Sequence, residues 1–126
     1  MIQIVLVMRR MVFAQSLTRI LAEKNEFHVR IARNYQEAEI LIEGTRADAA
    51  MIEVSENDEG DMRSCLSLCS EIRSRAPNCR LLLMCSENME EAVREVIRAK
   101  LAREIDDFVF YDTSLRYLIS KIESLA

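Results

Sequence analysis

The chain has 126 residues, half of them hydrophobic, with a net charge of −4 and a pI near 5.1. That suffices for one ordinary core without disulfides or metal, so a single domain over residues 1–126 is expected. An acidic balance lacks the uncompensated Lys and Arg clusters of a nucleic-acid surface, and no run approaches the ~18 apolar residues that span a bilayer.

The first strand reads as Ile2–Val7, and its basic neighbours Arg9 and Arg10 follow the apolar run instead of preceding it, the reverse of a signal peptide. The expected compartment is the cytoplasm. Phe13, Leu17, Ile20 and Leu21 recur at helical spacing. The second strand, Phe27–Ala32, holds the one histidine, His28, which reads as a strand residue and not a catalyst. Asn34 with Glu37 resembles an N-cap with a carboxylate three residues later, and Gly44 suits the end of the helix it opens.

The third strand, Asp48–Val54, runs from Asp48 through an apolar stretch to a carboxylate, Glu53, near its end. Ser55–Asp61, with one of only two glycines, is expected to be the most flexible segment. Met62, Cys65, Leu66, Cys69 and Ile72 then form one helical stripe, with Pro77 beyond it. Cys65 and Cys69 on that stripe behave as small core hydrophobes. Zinc would need four nitrogen or sulfur ligands, which neither the cysteine spacing nor a second histidine supplies. Cys79 opens the fourth strand, Arg80–Cys85, and also reads as structural; a redox role would need an exposed, electropositive thiol.

A second cap is read at Asn88 with Glu91, ahead of a stripe of Met89, Ala92, Val93, Val96 and Ile97. The outer side of that helix mixes Glu90, Glu91, Arg94, Glu95 and Arg98, as a solvated face with local ion pairs would. The fifth strand is Asp107–Phe110, and Leu115, Leu118, Ile119 and Ile122 mark the last helix. Strict alternation of strand and helix implies right-handed crossovers onto a doubly wound parallel sheet, an α/β fold.

Ligands of such sheets sit outside the carboxyl ends of the strands. The residues there are Met8, Arg9 and Arg10, Glu53, Cys85 and Ser86, and Tyr111 with Asp112. No glycine-rich phosphate loop follows the first strand, and no nucleophile has a base beside it. No enzymatic activity and no cofactor are expected.

The stretches Asp48-Ala-Ala-Met-Ile-Glu-Val and Asp106-Asp-Phe-Val-Phe-Tyr resemble the third and fifth strand segments of bacterial two-component receiver domains, and the resemblance covers essentially the whole chain. It implies a flavodoxin-like sheet in the order 2-1-3-4-5 with five helices. The family expects two acids after strand one, a phospho-accepting aspartate after strand three, Ser or Thr after strand four and lysine after strand five. Here Met8 and Arg9 stand for the acids, Glu53 for the aspartate, Cys85 (or Ser86, one step later) for the hydroxyl, and Tyr111 for the lysine. Glu104 stands where the family turns on glycine, and Phe108 matches its switch aromatic.

Receiver phosphorylation needs Mg²⁺, held by carboxylate and water oxygens. Met8, Arg9, Glu53 and Tyr111 together carry no net charge, and Arg10 makes the region positive, so no metal is expected. The extra methylene of glutamate would also displace the acceptor, and misplacement of about 1 Å can cost ~10²-fold in rate. Arg9 could pair with Glu53 where metal and phosphoaspartate would otherwise meet, or both could be solvated charges at the rim. Without a charge change to drive it, Phe108 reads as a fixed, partly buried ring. The resemblance places protein or self contacts, including a homodimer, on helix four, strand five and helix five, with Arg94, Arg98 and Arg116 as candidates. It implies a pseudo-receiver, a phosphorylation-independent interaction module of bacterial signalling or transcription control, alone or as a segment of a longer regulator with an output domain. The alternatives are a phosphorelay receiver using another acid, such as Asp58 or Asp48, and a small-ligand binder or enzyme on the same fold.

Overall fold

A computed structural model describes residues 1–54 and 61–125. Ten elements alternate along it: β1 (Ile2–Val7), α1 (Met11–Glu23), β2 (Phe27–Ala32), α2 (Tyr35–Thr45), β3 (Ala49–Glu53), α3 (Asp61–Arg75), β4 (Arg80–Cys85), α4 (Glu90–Leu101), β5 (Asp107–Phe110) and α5 (Leu115–Leu125). The strands form one parallel sheet in the order β2-β1-β3-β4-β5. The expected doubly wound topology is the one observed.

Successive strand residues feed opposite faces. Val5, Val7, Ala50, Ile52, Leu81 and Leu83 meet α2, α3 and α4 on one side, while Ile4, Leu6, Met51, Leu82 and Met84 meet α1 and α5 on the other. This explains why β3 and β4 show so little polar alternation: both of their faces are covered. Cys65 and Cys69 are buried on α3 and Cys79 lies buried just ahead of β4, as core residues. A hydrogen bond with Cys69, then burial, raises the Cys65 thiol pKa, and burial pushes Cys79 up to about 12.

Two aspartates clasp the amino-terminal edge of the sheet. Asp48 donates its N–H to the Gln3 carbonyl at 2.7 Å while its carboxylate accepts the Gln3 N–H at 2.8 Å. Asp106 repeats the arrangement on Leu81, at 2.9 and 2.7 Å, and its carboxylate also binds Arg73 at 2.8 Å and Arg80 at 3.3 Å.

Three local expectations need correction. Asn34 does cap α2, accepting the Glu37 N–H at 2.8 Å, but α4 begins one residue later than the Asn88 cap requires, with Met89 at the cap position and no side-chain bond, and the Asn88 N–H goes to Ser86 Oγ. Gly44 lies inside α2, and the left-handed residue that ends the helix is Arg46, at φ 52°. After α4 the left-handed turn falls on Arg103, at φ 61°, one residue before Glu104. The expected mobility of Ser55–Asp61 concerns residues 55–60, outside the described ones, and Asp61 already belongs to α3. Among the described residues no helix is long and apolar enough to cross a membrane.

Candidate functional site

At the carboxyl ends of β1, β3, β4 and β5 the structure gathers Met8, Arg9, Arg10, Glu53, Cys85, Ser86 and Tyr111, as their positions in the sheet require. Met8 and Cys85 are fully buried and simply extend the core. Burial pushes the Cys85 thiol up to about 11, so it is no nucleophile near neutrality. Ser86 is buried with its oxygen accepting the Asn88 N–H at 3.2 Å.

Glu53 is 7% exposed and needs partners for its charge. It finds them in two adjacent residues: Oε1 accepts the backbone N–H of Arg9 at 3.0 Å, and Oε2 accepts Nε of Arg10 at 2.5 Å. Neither reading of Arg9 and Glu53 holds: Glu53 is not solvated, and its side-chain partner is Arg10, because the turn after β1 presents the Arg9 amide, and not its guanidinium, to the carboxylate. The Arg10 guanidinium carbon lies 4.6 Å from the centroid of the Tyr111 ring and 5.0 Å from that of Phe13, and its Nη2 reaches Met84 Sδ at 3.3 Å. Tyr111, at the lysine position, donates its hydroxyl to the carbonyl of Val54.

A second pair adjoins the first. Arg9 Nη2 donates to Asp61 Oδ1 at 3.0 Å, and Tyr35 donates its hydroxyl to Asp61 Oδ2 at 2.9 Å. Asp61 is 3% exposed. Burial works against the Arg9 charge, but Asp61, by charge and hydrogen bond, holds its pKa above the ordinary value. Burial, then Cys65 and Asp61, raises that of Tyr35. Sequence reasoning missed both Tyr35 and Asp61. With Asp61 included, the expected positive excess disappears: Arg9, Arg10, Glu53 and Asp61 balance. Among the described residues no group of three or more His, Cys, Asp or Glu is placed to hold a metal ion. Among the described residues the arrangement holds two carboxylates with two guanidinium groups, Glu53 with Arg10 and Asp61 with Arg9.

Among solved structures the chain is similar to a two-component response regulator from Clostridium difficile (23% identity, 99% of this chain and 95% of that one, TM-score 0.79). It is also similar to a response regulator from Thermotoga maritima (19%, 98% and 96%, 0.78) and to a CheY-like protein (tadZ) from Pseudomonas aeruginosa (19%, 100% and 100%, 0.74). The chain has the receiver fold. No protein-family model matches it, and no curated protein matches it in sequence.

On this receiver fold, the face made by α4, β5 and α5 is tied through one carboxylate. Asp107 accepts from Lys100 of α4 at 3.0 Å and from Lys121 of α5 at 2.5 Å. Phe108 is partly buried, packed edge-on against Phe110 with centroids 5.7 Å apart and with Lys100 over its ring. Burial opposes the Asp107 charge, but Lys121, the Phe108 N–H and Lys100 outweigh it and lower the carboxyl pKa. A folded value below the unfolded one, roughly 4 for aspartate, means that this stabilisation is complete above the unfolded value and lost as pH falls through the folded one. Asp107→Asn should accordingly lower the melting temperature at pH 7, with the gap to the parent chain closing in melts below about pH 4. A gap that does not change with pH would assign the effect to packing.

Proposed function

We propose that this chain is a pseudo-receiver: a non-enzymatic protein-interaction module of bacterial two-component signalling or transcription control, working in the cytoplasm without phosphorylation. The observation that carries the reading is the Arg10 guanidinium on the Glu53 carboxylate. A receiver pocket must admit a divalent cation and a phosphoryl group, and here the acceptor-equivalent oxygen is already bound to a fixed cation. Incubation with acetyl phosphate or phosphoramidate and Mg²⁺ should add no phosphoryl mass to the intact protein, and millimolar Mg²⁺ or Mn²⁺ should leave its melting temperature unchanged. A stable phosphoryl adduct would refute the reading. Of the alternative acceptors, Asp48 is engaged with Gln3 at the opposite end of the sheet, and Asp58 lies outside the described residues.

The partner surface proposed is α4–β5–α5, engaging protein or a second copy and not nucleic acid or membrane. Arg94, Ile97, Arg98 and Leu101 share one stripe of α4 by helical spacing. Leu101 is 79% exposed, with Ile97 exposed beside it and Leu115, Arg116 and Tyr117 exposed on α5. Among the described residues Arg94 and Arg98 pair locally, with Glu90, Glu95 and Glu104, all at the surface and worth little to the fold. If the chain self-associates there, Arg94→Glu with Arg98→Glu should weaken the dimer about tenfold or more and change its salt dependence. Sedimentation that finds a dimer indifferent to both changes would remove this surface; a monomer at every concentration would leave a different protein as its partner.

A further inference from the structure

Arg10 belongs to the junction of β1 and α1, yet its side chain touches the carboxyl ends of three other strands. It binds Glu53 of β3, reaches Met84 of β4 and lies over the ring of Tyr111, the first residue after β5. Tyr111 closes the circuit, donating its hydroxyl to Val54 beside Glu53 and its N–H to the Cys85 carbonyl at 3.1 Å. Only residues 111–114 separate β5 from α5, so a shift of Tyr111 must be taken up at the start of that helix. The planar guanidinium can donate along its edge to a carboxylate while its face lies against a ring, which the point charge of a lysine cannot reproduce.

We propose that Arg10 is a positioning residue that sets where β5 hands over to α5, and thereby fixes the α4–β5–α5 face in a single state. Its functional end rests on the interaction role proposed above; its geometric end does not. The two are separated by measuring amide hydrogen exchange and self-association on the same variants. In Arg10→Met, peptides covering residues 110–118 should exchange about fivefold or more faster than in the parent chain, with those of α2 unchanged. Arg10→Lys should recover only part of the protection.

The double variant Arg10→Met with Glu53→Gln removes the orphaned charge and keeps the test valid if the single variant does not fold. If Arg10 merely neutralised Glu53, this variant would regain the parent's protection at residues 110–118. Positioning through Tyr111 predicts that it stays unprotected. Restored protection, or an exchange increase confined to residues 8–14 and 50–54, would overturn the inference. Lost protection at 110–118 with unchanged self-association would uphold it while rejecting that face as the surface between copies.

Discussion

Arg10→Met should destabilise the domain by about 2–4 kcal/mol, and Glu53→Gln by only about 1 kcal/mol. The two members of the pair differ in what their loss leaves behind. The Glu53 side chain is 6% exposed and that of Arg10 is 47% exposed. Deleting the guanidinium strands a carboxylate away from water, with the Arg9 amide still donating to it. Deleting the carboxylate charge instead leaves a cation half in solvent and lying over two rings. Breaking a fully buried pair costs roughly 3–5 kcal/mol, and the exposed half of Arg10 brings the expectation below that. Urea unfolding of the two variants measures the difference, and the Arg10 variant should melt about 10 °C lower. Equal, small losses would show the pair behaving as a solvated surface bridge.

The largest loss should come from Leu83→Ala, about 3–5 kcal/mol. Leu83 is fully buried in β4, with Ile52 and Phe108 as its neighbours across the sheet. The cavity would lie between sheet and helices that both keep their other contacts, so little collapse can fill it. Leu101→Ala removes the same atoms from a site in contact with water and should stay within about 0.5 kcal/mol in unfolding experiments. If Leu101→Ala proved as costly as Leu83→Ala, Leu101 would be a core residue in solution and not part of an open surface.

The sheet could be read from the chain because its physical signal is repetitive. Unbroken apolar runs such as Leu81–Cys85 mark strands covered on both faces, and stripes such as Leu118 with Ile122 mark helices that cover them. The site was legible only as a set of positions. Whether Arg9 or Arg10 turns its side chain to Glu53 depends on the backbone dihedrals of one bend, which no periodicity encodes. Asp61 stands in the sequence at the end of a polar loop, although an acid at the first position of a helix is an ordinary signal; its burial comes from Tyr35 and Arg9, distant in sequence. Asn88 does not cap α4 because that helix begins one residue further on, with Met89 at the cap position, while the Asn88 N–H is taken by Ser86 two residues earlier.

The clasps of Asp48 on Gln3 and of Asp106 on Leu81 have a consequence for how such a domain can change. In a sheet covered on both sides, a slip of one residue would exchange every side chain between the two faces. Here the alignment of β1 with β3, and of β4 with β5, is anchored at the end of the sheet remote from Glu53. The strand ends that carry Glu53 and Met84 are relieved of that duty, so a substitution at Glu53 should alter the pairing of charges there without the strands losing step.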